Sequence, residues 1–240
     1  MKRLRVIAGP NGSGKTTLYR ELKEKIPLYD FINADEIKLQ LEKDHTKELP
    51  FQLNPGELVE SITKTTFPES VKQFFCDGRI SSSGNVVRFS PDCISAYSVA
   101  AFADFLRTAY LMRGLSFTVE TVFSHPSKQQ FLELARELGY RVYLYLIATE
   151  DPKLNIQRVK QRVHLGGHDV PQEKIISRYN RCLDNFYDSL DFAYRAYFWD
   201  NSSCQMRLFA ELKPDHRLET LEDAPVPNWF FNSILKKMAD

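Results

Sequence analysis

Apolar positions along the chain recur with two different periods, and the two periods alternate. Short runs of apolar, β-branched and aromatic residues indicate strands, and segments with apolar residues three to four positions apart indicate amphipathic helices. Strands are predicted at residues 3–8, 29–33, 115–119, 141–148, 196–199 and 206–211. Helices are predicted at residues 16–25, 34–43, 93–113, 127–138, 152–163, 171–193 and 229–238. Such alternation predicts an α/β fold, with a mostly parallel sheet and helices on both faces.

The segment at residues 45–91 interrupts this alternation. It is rich in proline and glycine. Within it, a hairpin is predicted in which Arg79–Ile80 pair with residues 86–89. We interpret it as an insertion between the second and third core strands. The whole chain, residues 1–240, is then a single domain that carries this insertion and a C-terminal extension at residues 212–240.

Composition excludes several classes of protein. Lys and Arg number 32 and Asp and Glu 31, and the resulting net charge of +1 argues against a dedicated nucleic-acid-binding protein. The sequence has no run of about 18 apolar residues, so no membrane helix is expected. The apolar stretch at its start is too short for a signal peptide. Four widely spaced cysteines, without a C-x-x-C pair, suit free thiols in the cytoplasm.

The strongest motif lies between the first predicted strand and the first predicted helix. It matches the phosphate-binding loop G-x-x-x-x-G-K-[ST], in which glycines let backbone N–H groups wrap phosphates at a helix N-terminus. We expect Lys15 to bind the β- and γ-phosphates of a nucleotide and Thr16 to ligate Mg²⁺. The predicted nucleotide-binding residues are Gly9, Pro10, Asn11, Gly12, Ser13, Gly14, Lys15, Thr16 and Thr17.

An ATPase subunit of an ABC transporter would have a similar phosphate-binding loop. Such a subunit also needs an L-S-G-G-Q-like signature, followed closely by an apolar strand that ends in Asp-Glu. Here Leu165-Gly166-Gly167 is followed by His168-Asp169, and no such strand comes next. The sequence therefore disfavours an ABC ATPase.

Two acidic residues follow predicted core strands. Asp35 lies after the second strand, where a carboxylate can accept the hydroxyl proton of a substrate that attacks the γ-phosphate. The alternative is that Asp35 caps the helix that begins there. Glu120, followed by Thr121, closes the third core strand. It can hold Mg²⁺ through water or bind a substrate hydroxyl, and the alternative is a strand-end carboxylate that faces solvent.

A basic region further along has the features of a mobile lid. Arg158 and Arg162 are four positions apart on one helix face, and a Gly-Gly pair and a proline-started helix follow them. Arginines that close over phosphates stabilise the charge of a transferring phosphoryl group. His168 and Arg178 are further lid candidates. The alternative is an ordinary basic helix face.

Together these motifs resemble the zeta toxin family of P-loop kinases, and more closely its chromosomal zeta-toxin-like members. The resemblance is carried by residues 9–18, 32–37, 117–124 and 158–181. It implies a kinase-like P-loop fold and transfer of phosphate from ATP, with Mg²⁺, to a sugar hydroxyl of a nucleotide sugar such as UDP-N-acetylglucosamine. It also implies a small antitoxin partner that blocks the nucleotide site.

The resemblance assigns a role to each matching residue. Asp35 would be the catalytic base and contact the acceptor, Glu120 and the adjacent Thr121 would bind the acceptor, and Arg158 or Arg162 would be the first lid arginine. The second lid arginine of the family falls near His168, and a neutral histidine lends less positive charge than arginine. The insertion at 45–91 is a second departure, which either reshapes the acceptor pocket or forms a surface excursion or an oligomer contact.

The sequence is also compatible with two other functions. One is a metabolic or nucleotide-salvage kinase with a different acceptor. The other is a nucleotide-binding interaction module without acceptor chemistry. The preference for ATP over GTP rests on the family resemblance alone.

Overall fold

The computed structural model describes residues 1–167, 169–221 and 226–239, and the chain divides into two compact units. The first unit comprises Met1–Phe31 and Gly114–Asp240, and the second comprises Ile32–Arg113. The predicted insertion at 45–91 lies within the second unit.

The first unit contains the phosphate-binding loop and most of the predicted core strands. It begins with β1 (Arg3–Ala8), α1 (Lys15–Lys25) and β2 (Asp30–Ile32), whose last residue starts the second unit. The second unit contains α2 (Ala34–Asp44), β3 (Thr46–Glu48), α3 (Pro55–Thr63), α4 (Glu69–Cys76), β4 (Ile80–Ser83), β5 (Val86–Phe89), a 3₁₀ turn (Pro91–Cys93) and α5 (Ala96–Met112).

The chain then returns to the first unit. Its elements there are β6 (Phe117–Thr121), α6 (Ser127–Glu137), β7 (Arg141–Ala148), α7 (Pro152–His164), α8 (Gln172–Ser189), a 3₁₀ turn (Leu190–Phe192), β8 (Arg195–Asp200), β9 (Arg207–Leu212) and β10 (Leu218–Thr220). The C-terminal segment consists of α9 (Asn228–Phe230), a π-helical turn (Phe231–Leu235) and α10 (Lys236–Ala239).

Strands of the described residues form a seven-stranded sheet in the order β10-β9-β8-β7-β1-β6-β2. β1 lies between β6 and β7 and is parallel to both, and β7 is also parallel to β8. β9 and β10 run antiparallel at one edge. β1 and β7 are almost entirely buried, as strands covered on both faces must be. The mostly parallel α/β sheet predicted from the alternating pattern is confirmed.

The second unit has a small antiparallel sheet, β3-β5-β4, and four helices. The predicted hairpin pairs Ile80 with Phe89 and Ser83 with Val86. The helices α3 and α4 were not predicted, although α3 has a standard start, with Asn54 accepting from Gly56 N and Pro55 in the first turn. α5 begins three residues later than predicted, because Ser95 and Ser98 form a capping box there.

Aromatic packing joins the C-terminal segment to the sheet of the first unit. The ring of Phe230 is fully buried and lies edge-to-face against Phe198 and Phe209. Trp229 packs against the same cluster and against Phe186. The predicted helix at 229–238 is interrupted by the π-helical turn. The Trp229–Phe230 pair is therefore part of the core.

No helix of the described residues is long and apolar enough to cross a membrane.

The aromatic packing predicts that alanine substitutions at Phe230 and Phe231 lower the free energy of unfolding by different amounts. Phe230→Ala removes a fully buried ring and should lower the free energy of unfolding by about 3–5 kcal/mol. Phe231→Ala, at a side chain that is 54% exposed, should lower it by about 0.5 kcal/mol or less. Urea denaturation of both variants measures the difference. Similar costs for the two would contradict the packing described for Phe230.

Candidate functional site

The phosphate-binding loop leaves the carboxyl end of β1, the central strand of the parallel part of the sheet. Carboxyl ends of parallel strands meet at one edge, and ligands of α/β proteins bind there. Backbone N–H of Gly9 donates to the carbonyl of Thr121 at the end of β6, at 3.3 Å. Asn201, directly after β8, donates from Nδ2 to the carbonyl of Ser13 at 2.8 Å. The ends of three strands therefore meet around the loop.

Three positions of the loop leave no room for a Cβ, and at Gly9 it would lie 2.2 Å from the carbonyl oxygen of Ile147. Gly12 has φ +77°, and a Cβ there would lie 2.6 Å from the carbonyl oxygen of Asn155. Gly14 has φ +101°, and its Cβ would lie 2.3 Å from Nδ2 of Asn201. Both φ values are unfavourable for side-chain-bearing residues, and both distances are shorter than real Cβ contacts. Only a loop without these Cβ atoms packs so closely against its two asparagine neighbours.

Those asparagines support the loop from its inner side. Asn155 Nδ2 donates to the carbonyl of Asn11 at 2.6 Å, and its amide oxygen accepts from the hydroxyl of Thr149. Both Asn155 and Thr149 are fully buried. The carbonyl of Asn201 in turn accepts from Arg158 at 2.8 Å. Sequence reasoning missed both asparagines, although Asn201 carries a signal, because it is the first residue after a core strand.

The loop is suited to bind phosphate. The side chain of Lys15 is buried, and its Nζ donates to the carbonyls of Gly9 and Pro10, each at 2.9 Å. Oγ of Ser13 is buried and has no hydrogen-bond partner among the described residues. Gly14 precedes α1 and offers its first-turn N–H groups no side-chain acceptor. An ammonium group, an unpartnered hydroxyl and open helix N–H groups are the donors that a phosphate chain needs.

Thr16 and Glu120 form an oxygen pair beside the loop. Oγ1 of Thr16 donates to Oε2 of Glu120 at 3.3 Å. The pairing of Ile7 with Glu120 in the parallel β1–β6 ladder brings this carboxylate to the end of β1. Mg²⁺ is typically held by one or two protein oxygens together with substrate phosphates. The two side chains fit that pattern and would hold the ion. Among the described residues, no group of three His, Cys, Asp or Glu side chains could hold a metal.

The lid candidates differ in their relation to the loop. Arg158 is half-buried and bonds the carbonyl of Asn201, and Arg178 lies 3.4 Å from Oδ1 of Asn11. Arg162 is exposed one turn further along α7, where its carbonyl accepts from Gly167 N at 2.9 Å. His168 lies outside the described residues. The structure thus brings Arg158 and Arg178 to the loop and its support.

Tyr179 links α8 to the same support. Its hydroxyl donates to the carbonyl of Thr149 at 2.5 Å. Burial, with the nearby carboxylates of Glu150 and Asp151, raises the pKa of Tyr179 above its usual value. The phenol therefore stays protonated and remains a donor. A chain of hydrogen bonds runs from α8 through Thr149 and Asn155 to the phosphate-binding loop.

Asp35 belongs to the second unit and lies in the first turn of α2. Oδ1 of Asn33 accepts from the backbone N–H groups of Asp35 and Glu36, at 2.8 and 3.2 Å. Asn33 is therefore the helix cap, so the alternative that Asp35 caps α2 is wrong. The Asp35 side chain is exposed, and its carboxylate has no partner among the described residues.

The close packing of Gly12 predicts that an alanine at this position lowers nucleotide affinity more than its positive φ alone would. Gly12→Ala places a Cβ against the main chain of Asn155, so the loop must move and nucleotide affinity should fall at least about tenfold. Gly139→Ala is the matched control, because Gly139 also has φ +77° but nothing lies within 4 Å of its Cβ. That control should lose only about 1–2 kcal/mol of stability and keep nucleotide affinity. Titration with a fluorescent nucleotide measures both, and equal affinities would contradict the close approach.

Comparison with known proteins gives the family and the fold. A family model described as an AAA domain, AAA_33, matches residues 4–181, nearly three quarters of the chain. None of the curated proteins compared matches the sequence.

Several solved structures are similar. The structure of AvrRxo1-ORF1:-ORF2 with ATP has a TM-score of 0.58 and 15% identity, over 92% of this chain and 61% of that chain. The same complex with sulphate ions has a TM-score of 0.55 and 15% identity, over 93% and 62%. The structure from the PezAT toxin-antitoxin system of Streptococcus pneumoniae has a TM-score of 0.49 and 15% identity, over 98% and 79%.

The chain spans about three fifths of the AvrRxo1 complex chain that it matches. At 15% identity that likeness shows a shared fold, and it confirms the kinase-like P-loop fold that the motif resemblance implied. The family match covers the phosphate-binding loop, Glu120 and the arginines of α7 and α8. The chain belongs to the AAA domain family AAA_33 of P-loop proteins.

Proposed function

We propose that the protein is a kinase that uses ATP and Mg²⁺ to phosphorylate a hydroxyl group of a small molecule. The observation that carries the proposal is the contact between Thr16 and Glu120 beside the glycine-rich loop. It sets a pair of oxygen ligands suited to Mg²⁺ next to a phosphate cradle, which is the arrangement that phosphoryl transfer needs. A loop that only packed against the core would not need that oxygen pair.

Positive charge and backbone donors stabilise the phosphates in this proposal. Lys15 and the N–H groups of the loop bind the β- and γ-phosphates. Arg158, Arg162 and Arg178 supply further positive charge to the transferring group, and the contacts of Arg158 and Arg178 near the loop support those two in particular. Bound Mg²⁺ would neutralise negative charge on the phosphates. The contact of Glu120 with Thr16 favours a role for Glu120 on the metal side over the acceptor-binding role.

Asp35 is proposed as the general base. Its carboxylate takes the proton of the acceptor hydroxyl, the oxygen bonds to the γ-phosphorus, and the bond to the β-phosphate oxygen breaks to release ADP. Two facts support this role: the carboxylate is exposed, and Asn33 rather than Asp35 caps α2. The residue is thus available for chemistry.

The acceptor and the partner are proposed on the motif resemblance. The acceptor is a nucleotide sugar such as UDP-N-acetylglucosamine, with Thr121 among the residues that bind it. The partner is a small antitoxin protein. The similar AvrRxo1-ORF1 structure is a complex with ORF2 and ATP. A cytoplasmic location, without a nucleic-acid partner, completes the proposal.

Transfer of labelled γ-phosphate tests the reaction directly. The protein, ATP and Mg²⁺ are incubated with nucleotide sugars, plain sugars and nucleosides, and Lys15→Ala is the control. Label on UDP-N-acetylglucosamine that disappears in the control is the expected result. Label on another acceptor would retain the kinase and replace its substrate. Bound ATP without label on any acceptor would favour a nucleotide-binding module.

Adjacent carboxylates at the start of α2 allow a matched test of the base. Asp35→Asn should lower kcat by about 10²–10⁴-fold and leave ATP affinity within about twofold, because it removes only the proton acceptor. Glu36→Gln, at the next exposed position, should leave kcat within about twofold. Steady-state kinetics and ATP titration measure both. An Asp35→Asn variant with full kcat would remove Asp35 from the mechanism.

A further inference from the structure

Two peptide groups of the phosphate-binding loop are held by amide side chains from outside the loop. Asn155 Nδ2 donates to the carbonyl of Asn11 at 2.6 Å, and Asn201 Nδ2 donates to the carbonyl of Ser13 at 2.8 Å. Asn155 lies on α7, and Asn201 directly follows β8. The two carbonyls are two positions apart, so alternate peptides of the loop are fixed from behind.

The direction of each carbonyl determines the direction of the N–H group that follows it. A peptide group is planar and trans, so its C=O and N–H bonds point in opposite directions. The carbonyl of Asn11 shares its peptide group with the N–H of Gly12, and the carbonyl of Ser13 shares its peptide group with the N–H of Gly14. Each glycine N–H therefore points away from the asparagine that holds its peptide.

Neither glycine N–H donates to an acceptor within the described part of the chain. The N–H of Ser13, between them, donates to the carbonyl of Pro10 at 3.2 Å. For Gly12 and Gly14, residues 1–167, 169–221 and 226–239 supply no such acceptor. Backbone N–H groups are strong donors that are nearly always paired in folded proteins. These two are therefore available to a ligand that accepts hydrogen bonds.

The backbone around the two N–H groups has the geometry of an anion-binding concavity. Gly12 has φ +77° and Gly14 has φ +101°, whereas Ser13 is not among the residues with positive φ. Successive residues of opposite backbone hand turn their N–H groups inward and form a concavity that binds anions. The orientation set by the asparagines and the glycine conformations thus favour the same ligand, an anion with several oxygens.

The amide of Asn155 is itself held in one orientation. Its Oδ1 accepts from the hydroxyl of Thr149, which leaves Nδ2 for the carbonyl of Asn11. Asn155 and Thr149 are both fully buried, so water does not compete for these bonds. Reversing the amide would set its oxygen against the carbonyl oxygen of Asn11, and two acceptors do not bond each other.

Asn201 is fixed by its neighbours and by the C-terminal segment. Its backbone N–H donates to the carbonyl of Ala148 at 2.9 Å. Asp200, the preceding residue, accepts from Nε1 of Trp229 at 3.0 Å and from Oγ of Ser202 at 2.6 Å. Asn201 lies beyond residues 4–181, which the family model matches, so this support comes from the remainder of the chain.

We propose that Asn155 and Asn201 are positioning residues for phosphate binding. They turn their two loop peptides so that the N–H groups of Gly12 and Gly14 face the phosphates. The proposal rests on the proposed nucleotide binding and names the side chains that orient its backbone donors. Donors that are already oriented lose little entropy on binding, whereas a peptide that can rotate must be ordered first, at a cost in affinity.

Asn201→Leu tests the proposal, and Asn185→Leu is its matched control. Both asparagines are half-buried, and Asn185 Nδ2 also donates to a backbone carbonyl, that of Phe123, at 2.9 Å. Leucine removes the donor in both cases and leaves the net charge unchanged. Calorimetric titration with inorganic pyrophosphate, which has phosphates but no base, measures the effect. Asn201→Leu should weaken binding about tenfold, and Asn185→Leu should leave it within about twofold.

Amide NMR of protein containing ¹⁵N-labelled glycine separates peptide orientation from a general loss of structure. The chain has ten glycines, so the spectrum is simple. Pyrophosphate should move the proton signals of Gly12 and Gly14 downfield, because both N–H groups donate to it. Asn201→Leu should abolish the shift of Gly14 and retain that of Gly12, and Asn155→Leu should do the reverse.

Thr149→Val serves if Asn155→Leu does not fold, because it removes the hydroxyl that orients the Asn155 amide and touches no loop atom. It should reduce the shift of Gly12 alone.

Three outcomes overturn the proposal: unchanged pyrophosphate affinity in the variants of Asn155 and Asn201, equal losses in Asn185→Leu and Asn201→Leu, or glycine signals that do not move when pyrophosphate saturates the protein. Phosphoryl transfer is measured separately. A protein that shows the expected shifts but labels no acceptor would retain this inference and lose the kinase, whereas one that binds neither pyrophosphate nor ATP would lose both.

Discussion

The close approach of a glycine backbone to two asparagines is the constraint on which the site in the first unit depends. Gly12 and Gly14 leave no room for a Cβ against Asn155 and Asn201. Those side chains come from α7 and from the residue after β8. The loop conformation therefore requires both elements to be correctly positioned next to the end of β1. The phosphate-binding loop is therefore held by the tertiary structure behind it as much as by its own sequence.

This support also explains how α8 relates to the site. The helix contributes Arg178 to Asn11 and Tyr179 to Thr149, and Thr149 in turn bonds Asn155. Because the phenol of Tyr179 keeps its proton, the connection holds over the whole neutral pH range. The same helix packs against the C-terminal segment, where the ring of Phe186 contacts that of Trp229. One helix thus links the phosphate-binding loop to the C-terminal segment.

Local sequence determined the elements whose signals lie within a few consecutive residues. The bounds of β1 and β7 match the prediction, because long apolar runs need no tertiary information to be read as buried strands. The phosphate-binding loop was predicted for the same reason, since all its essential residues are consecutive. α3 and α4 were missed where prolines and glycines were interpreted as loop residues, although Asn54 and Pro55 mark a helix start.

The sequence by itself determined the family motif, the α/β class and the residues proposed to bind phosphate and Mg²⁺. Only the tertiary structure decided that Thr16 meets Glu120 and that Asn155 and Asn201 support the loop. It also assigned Trp229 and Phe230 to the core. The physical reason is distance along the chain: hydrogen bonds between residues more than a hundred positions apart leave no periodic trace in the sequence.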